Sequence, residues 1–183
     1  MNFTFETVDV KEELTQILKA ELPKQGFPNV KVIKSDPQSP SEFPCVGINR
    51  ISDDETSQSI SDQLGVAYDP NTKTYTEFKG TFFSEAVEVR VWHTNADQRD
   101  LIYRTVKGIL FAYRQVLVEK GLLNVTLRGG RDEQDSTMAY APVVIYWGTI
   151  TMSYLNPLNV DIIDTVDTIT AITDNGSLSG VNP

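Results

Sequence analysis

Few residues of this 183-residue chain combine the types and spacing that catalysis requires. A nucleophile elbow needs a serine between two glycines on a sharp strand-to-helix turn. In Gly176-Ser177-Leu178-Ser179-Gly180 that position is Leu178, and no strand or helix pattern surrounds it. Gly129-Gly130, flanked by Arg128 and Arg131, offers a small backbone and positive charge to a phosphate. It lacks the Gly-Lys-Ser/Thr ending of a phosphate loop and joins one strand pattern to another. His93 closes a strand pattern just before a helix start, with no neighbouring serine or cysteine to activate. Cys45, between Pro44 and Val46 in an apolar run, reads as a small buried hydrophobe. One cysteine and one histidine exclude an intrachain disulfide and a Cys/His zinc cluster. Asp53-Asp54-Glu55 and Asp132-Glu133-Asp135 lack the spacing and the glycine of an EF-hand loop, so solvated charge is expected there. Asn124-Val125-Thr126 fits a glycosylation triplet, but Met1 to Glu6 shows no secretory signal, and synthesis in a cytoplasm is expected. The expectation is a chain that is not an enzyme and holds no metal or cofactor.

The remaining chemistry is that of contact. Glu88, Arg90 and Trp92 alternate with Val87, Val89 and Val91, which sets a tryptophan among charges on the outer face of a half-buried strand. Trp and Arg are enriched at subunit interfaces; the competing reading is that residues 52–80 of the same chain cover Trp92. Arg104, Lys107 and Arg114 project away from the apolar stripe of a helix, at about 100° per residue. Loop 128–136, with Arg128 and Arg131, reads either as a mobile finger or as an ordinary solvated loop. In the last segment Val160, Ile162, Ile163, Val166, Ile169 and Ile172 are punctuated by Asp161, Asp164, Asp167 and Asp174. These apolar groups need cover, from a neighbour's sheet edge or from a return onto the chain's own domain as an edge strand.

Charge is distributed unevenly along the chain. The net charge is −9; residues 141–183 hold no Lys or Arg and four Asp, whereas residues 81–140 are balanced. Such an acidic field disfavours general binding to nucleic acid or anionic lipid. No apolar run approaches the roughly 20 residues that span a bilayer.

The elements that position these residues are legible from periodicity. Asp9 with Glu12 forms a capping box ahead of Val10, Leu14, Ile17 and Leu18, and Pro23 with Gly26 ends that helix. Residues 29–35 and 43–51 read as an antiparallel strand pair across a Pro-rich turn. Residues 52–80 read as a protruding hairpin with its tip at Asp69-Pro70-Asn71. A helix of more than twenty residues opens at Thr94-Asn95-Ala96-Asp97, includes Leu101 in its apolar stripe and stops at Gly121. Strands at 124–128 and 138–155 follow. The expected class is α+β, a mostly antiparallel sheet with two main helices packed on one side. One domain covers residues 1–155, and residues 156–183 form an extended C-terminal arm.

The run Val87-Glu88-Val89-Arg90-Val91-Trp92-His93, followed by Thr94-Asn95-Ala96-Asp97-Gln98-Arg99 opening a helix, comes after an N-terminal helix and a strand pair. In this order it resembles the tail-terminator or tail-completion proteins of tailed bacteriophages, over residues 9–155. The resemblance implies an α+β subunit of a homo-oligomeric ring, expected to be a hexamer, that caps the tail tube and joins the head-side connector. It implies a virion protein assembled in the host cytoplasm, without catalytic residues or membrane contact, with DNA only passing through the lumen. The 52–80 hairpin and the arm depart from the smallest members and suit added contacts to a sheath or collar. A portal-binding adaptor, a small-ligand enzyme and a monomeric binding module are the competing classes.

Overall fold

A computed structural model describes residues 2–56, 63–72, 74–135 and 144–165. In chain order the elements are β1 (Asn2–Glu6), α1 (Val10–Glu21), β2 (Lys31–Ile33), β3 (Cys45–Thr56), β4 (Gln63–Asp69), β5 (Thr74–His93), α2 (Ala96–Ala112), α3 (Arg114–Glu119), β6 (Leu123–Asp135) and β7 (Ile145–Thr165). The fold is α+β with a mostly antiparallel sheet, as the patterning predicts.

β5 and β7 form its spine. They pair without a break from Thr74↔Thr165 to His93↔Tyr146, a ribbon of about 65 Å at 3.3 Å per residue. Strands of 20 and 21 residues are twice the usual upper length, so this ribbon extends beyond what one helix layer covers. Each spine strand has two partners on its outer edge. β5 pairs β4 over Thr74–Lys79 and β3 over Phe82–Trp92, while β7 pairs β6 at one end and β1 at the other. The sheet therefore has a proximal half and a distal blade of β4, β5, β7 and β1.

Helices cover the proximal half. Val87, Val89 and Val91 of β5 meet Ile48 and Val46 of β3 and Ile150 and Met152 of β7, and this layer packs against Leu14 and Leu18 of α1 and Ile102, Val106 and Leu110 of α2. Each fully buried aliphatic contributes about 1.5–3 kcal/mol. Asp9 caps α1 by accepting from the Glu12 N–H at 3.1 Å, and Asn95 caps α2 by accepting from Gln98 at 2.9 Å.

Five expectations are corrected. β2 and β3 run parallel, because residues 34–44 carry the chain back across the open face before β3 begins. The long second helix is two, broken at Tyr113 (φ −87°, ψ 0°), whose hydroxyl donates to Glu21 Oε1 at 2.7 Å; the turn lets α3 bury Leu117 before Gly121 (φ +104°) ends it. Residues 128–135 are not a loop but the continuation of β6 through a bulge between Gly129 and Asp132. A Cβ at Gly129 would lie 2.9 Å from the Tyr103 hydroxyl and one at Gly130 3.0 Å from the Thr149 carbonyl. The glycines thus serve close packing. Residues 52–56 and 74–80 are parts of β3 and β5 rather than a separate insertion, although the predicted tip does join β4 to β5. Finally, the boundary drawn at Asn156 falls inside β7. Asn156 to Thr165 is part of an interior strand, paired with β5 on one side and, over Asn159–Ile163, with β1 on the other.

Candidate interaction surfaces

Two large apolar side chains stand exposed on α2. Leu101 is 51% exposed and Phe111 68%, and both stand on the side opposite the buried residues Arg99, Ile102, Val106 and Leu110. The spacing 101, 104, 108, 111 puts Leu101, Arg104, Gly108 and Phe111 in one stripe, with Lys107 beside it. A shallow depression of about 420 Å³ runs between Arg104, Lys107, Gly108, Phe111 and Leu127 of β6. Nothing lies within 4 Å of where a Gly108 Cβ would be, so the trough is open. The ridge combines two apolar groups with two cations, a composition suited to a partner segment that is apolar and acidic. Arg104 and Lys107 were legible from the wheel. Leu101, expected in the buried stripe, is exposed instead, and Phe111, seven residues after Arg104, lies on the same side.

The other predicted contact residues are placed differently. Trp92 is only 2% exposed. It lies between Cys45 and Trp147 across the strands, its ring stacked on Trp147 at 4.9 Å, and Ile33, Phe43 and Ile145 close the cluster. Ile33 and Phe43 of segment 33–44 help cover it, and no described residue of 52–80 belongs to the cluster. Arg90 is half-buried and paired within the chain, to Asp36 Oδ2 at 2.7 Å and to Glu88, while Asn49 donates to the other Asp36 oxygen at 2.8 Å. Neither residue is free for a partner. Arg128 is exposed, but it opposes Thr151 on the sheet face away from α2, one residue out of phase with Leu127. Arg114 is exposed at the start of α3, beyond the break. Arg131 belongs to β6. Val160, Ile162 and Ile163 sit in β7 with partners on both sides, opposite Lys79, Glu77 and Thr76 of β5 and opposite Phe5, Phe3 and Asn2 of β1. That excludes them as a free arm. Val166, Ile169 and Ile172 lie outside the described residues.

A polar cluster fixes where the proximal half meets the blade. Glu85, 5% exposed, accepts from Tyr154 Oη at 3.0 Å and from Asn156 Nδ2 at 2.8 Å; the same amide donates to the Val8 carbonyl at 2.9 Å and its oxygen accepts from Val8 N–H at 3.4 Å. Burial raises the Tyr154 pKa, so the hydroxyl keeps the proton it donates. A depression of about 340 Å³ beside it is bordered by Arg50, Asp53, Glu85 and Asn156. Cys45 is buried, and loss of solvation, with Glu42 and Asp36 nearby, pushes its thiol up to about 12. It is not a nucleophile near neutral pH. His93 Nδ1 accepts from the Asn95 N–H at 2.9 Å and so serves the helix start.

No helix among the described residues is long and apolar enough to cross a membrane. No family model and no curated protein sequence matches the chain.

Proposed function

We propose that this chain is a structural subunit of a bacteriophage neck, a tail-terminator or tail-completion protein working as a ring, with six copies expected. In this reading the ring caps the tail tube, joins the head-side connector and lets DNA pass through its lumen; sheath or collar proteins are further partners. The protein assembles in the host cytoplasm and ends in the virion.

The observation that carries the reading is that one chain presents two unlike surfaces far apart. The α2 ridge adds Arg104 and Lys107 to exposed Leu101 and Phe111, whereas β4 of the blade carries exposed Val66, Tyr68 and Asp69. A ring that closes by rotation needs such a heterologous contact, one patch meeting a different patch on the next copy. The helix-backed antiparallel sheet agrees with the α+β subunit that the resemblance implies. The strand signature Val87–His93 is the C-terminal end of β5, and Asn95 caps the helix that follows it.

The test is to mix the purified chain with tail tubes and image them. The expected result is a ring at one end of each tube. Binding to portal rather than to tubes would move the protein to the head-side adaptor position, and binding to neither would overturn the reading.

A further inference from the structure

We propose that the α2 ridge seats the C-terminal segment of a second copy of this chain, residues 166–183. The inference deepens the ring reading by naming both sides of a subunit contact, and it rests on the self-association assumed there.

The chemistry of the ridge narrows the choice of occupant. It needs apolar side chains for Leu101, Phe111 and Leu127 together with carboxylates for Arg104 and Lys107. The acidic residues of the first 80 positions fit poorly, since many are already paired within the chain. Glu12 holds Lys34, Glu13 holds Lys120, Glu21 holds Lys24, Asp36 holds Arg90 and Asp53 holds Arg50. The acidic end of β3, Asp53-Asp54-Glu55-Thr56, contains no apolar side chain. Residues 166–183 have both parts. Asp167 and Asp174 bracket Ile169 and Ile172, and no Lys or Arg lies anywhere after Arg131. Extended, Asp167 to Asp174 covers about 23 Å, enough to follow the roughly 15 Å from Leu101 to Phe111 along the helix.

Geometry then selects another copy over the same chain. β7 ends at Thr165, opposite Thr74 at the far end of the blade. Leu127, the strand residue at the ridge, opposes Met152, thirteen residues back along β7 and therefore about 43 Å away. Asp174 is nine residues past Thr165 and reaches at most about 32 Å. The acidic and apolar part of the segment falls short of its own ridge, and only the last few residues, which carry no acidic side chain, would arrive. A neighbouring copy has no such restriction.

The test places a photo-crosslinking benzoylphenylalanine at Thr170 of the full chain, leaving the ridge native. Irradiation of an equal mixture of light and heavy isotope-labelled protein is followed by mass spectrometry. The expected product joins residue 170 to residues 101–111 in mixed light–heavy pairs. Capture within one chain, capture at any other segment, or none overturns the proposal. In parallel, Arg104→Glu with Lys107→Glu is expected to weaken self-association at least tenfold with unchanged melting, and Asp167→Lys with Asp174→Lys in the same chain to restore it. Unchanged association, or loss without rescue, counts against the contact. Capture at α2 in a particle too small for a ring keeps the docking and removes the ring. A ring-sized particle with capture elsewhere does the reverse.

Discussion

Two glycines show how the same substitution takes opposite signs in this fold. At Gly47 of β3 an added Cβ would lie 2.6 Å from the Ser35 carbonyl oxygen, which is backbone and cannot swing aside. Gly47→Ala is expected to cost about 1–3 kcal/mol, read as a lower urea midpoint, because segment 33–44 must lift from the cluster around Trp92. Gly108→Ala meets open space inside α2 and is expected to gain about 0.5–1 kcal/mol from helix propensity. His93 gives the acid response. Burial lowers its pKa below the usual 6.5, so the unfolded chain binds the proton more readily than the folded one. That stability is complete above pH 6.5 and is lost as pH falls through the folded value. As the only histidine, it predicts a fall in the urea midpoint from about pH 7.5 to about pH 5.5 that is absent in His93→Gln. An unchanged midpoint in the native chain would contradict this.

At the scale of elements, the blade depends on how β7 is anchored as it leaves the helix-covered half. Asn156 ties Val8, ahead of α1, to the buried Glu85 of β5. Asn156→Ala leaves a buried carboxyl oxygen and a backbone carbonyl without their shared donor, and should cost about 2–4 kcal/mol in urea unfolding. A loss below half a kcal/mol would show that water replaces the amide without penalty. Local signals made much of this architecture legible. The Asp9/Glu12 box, the Asn95 cap, the Val87–Val91 alternation, the Asp69 tip and the Gly121 stop all act within a few residues. What stayed hidden depends on distant partners. Alternation gives Trp92 a face of its strand, but only the return of residues 33–44 decides that this face is buried. Gly129-Gly130 looks like a loop until Tyr103 and Thr149 are seen to need the space. The strand at Asn2–Glu6 is set by Asn159–Ile163, more than 150 residues away. The ridge was half legible, its cations from the wheel and its apolar groups only from exposure.

At the scale of the whole molecule, a 20.4 kDa subunit carrying a ribbon of about 65 Å is built to reach beyond its own core. A contact between the ridge and an unlike surface of the next copy would be heterologous, and it makes a ring where its rotation closes. The proposed contact through Arg104 and Lys107 would be partly electrostatic, so association is expected to weaken as salt rises. The most direct measurement is solution mass by light scattering across a concentration series, without and with tail-tube protein. The expected result is a particle of about 120 kDa, six times the 20.4 kDa chain, forming alone or on the tube end. A 20.4 kDa monomer at every concentration that also leaves tail tubes unbound would contradict it.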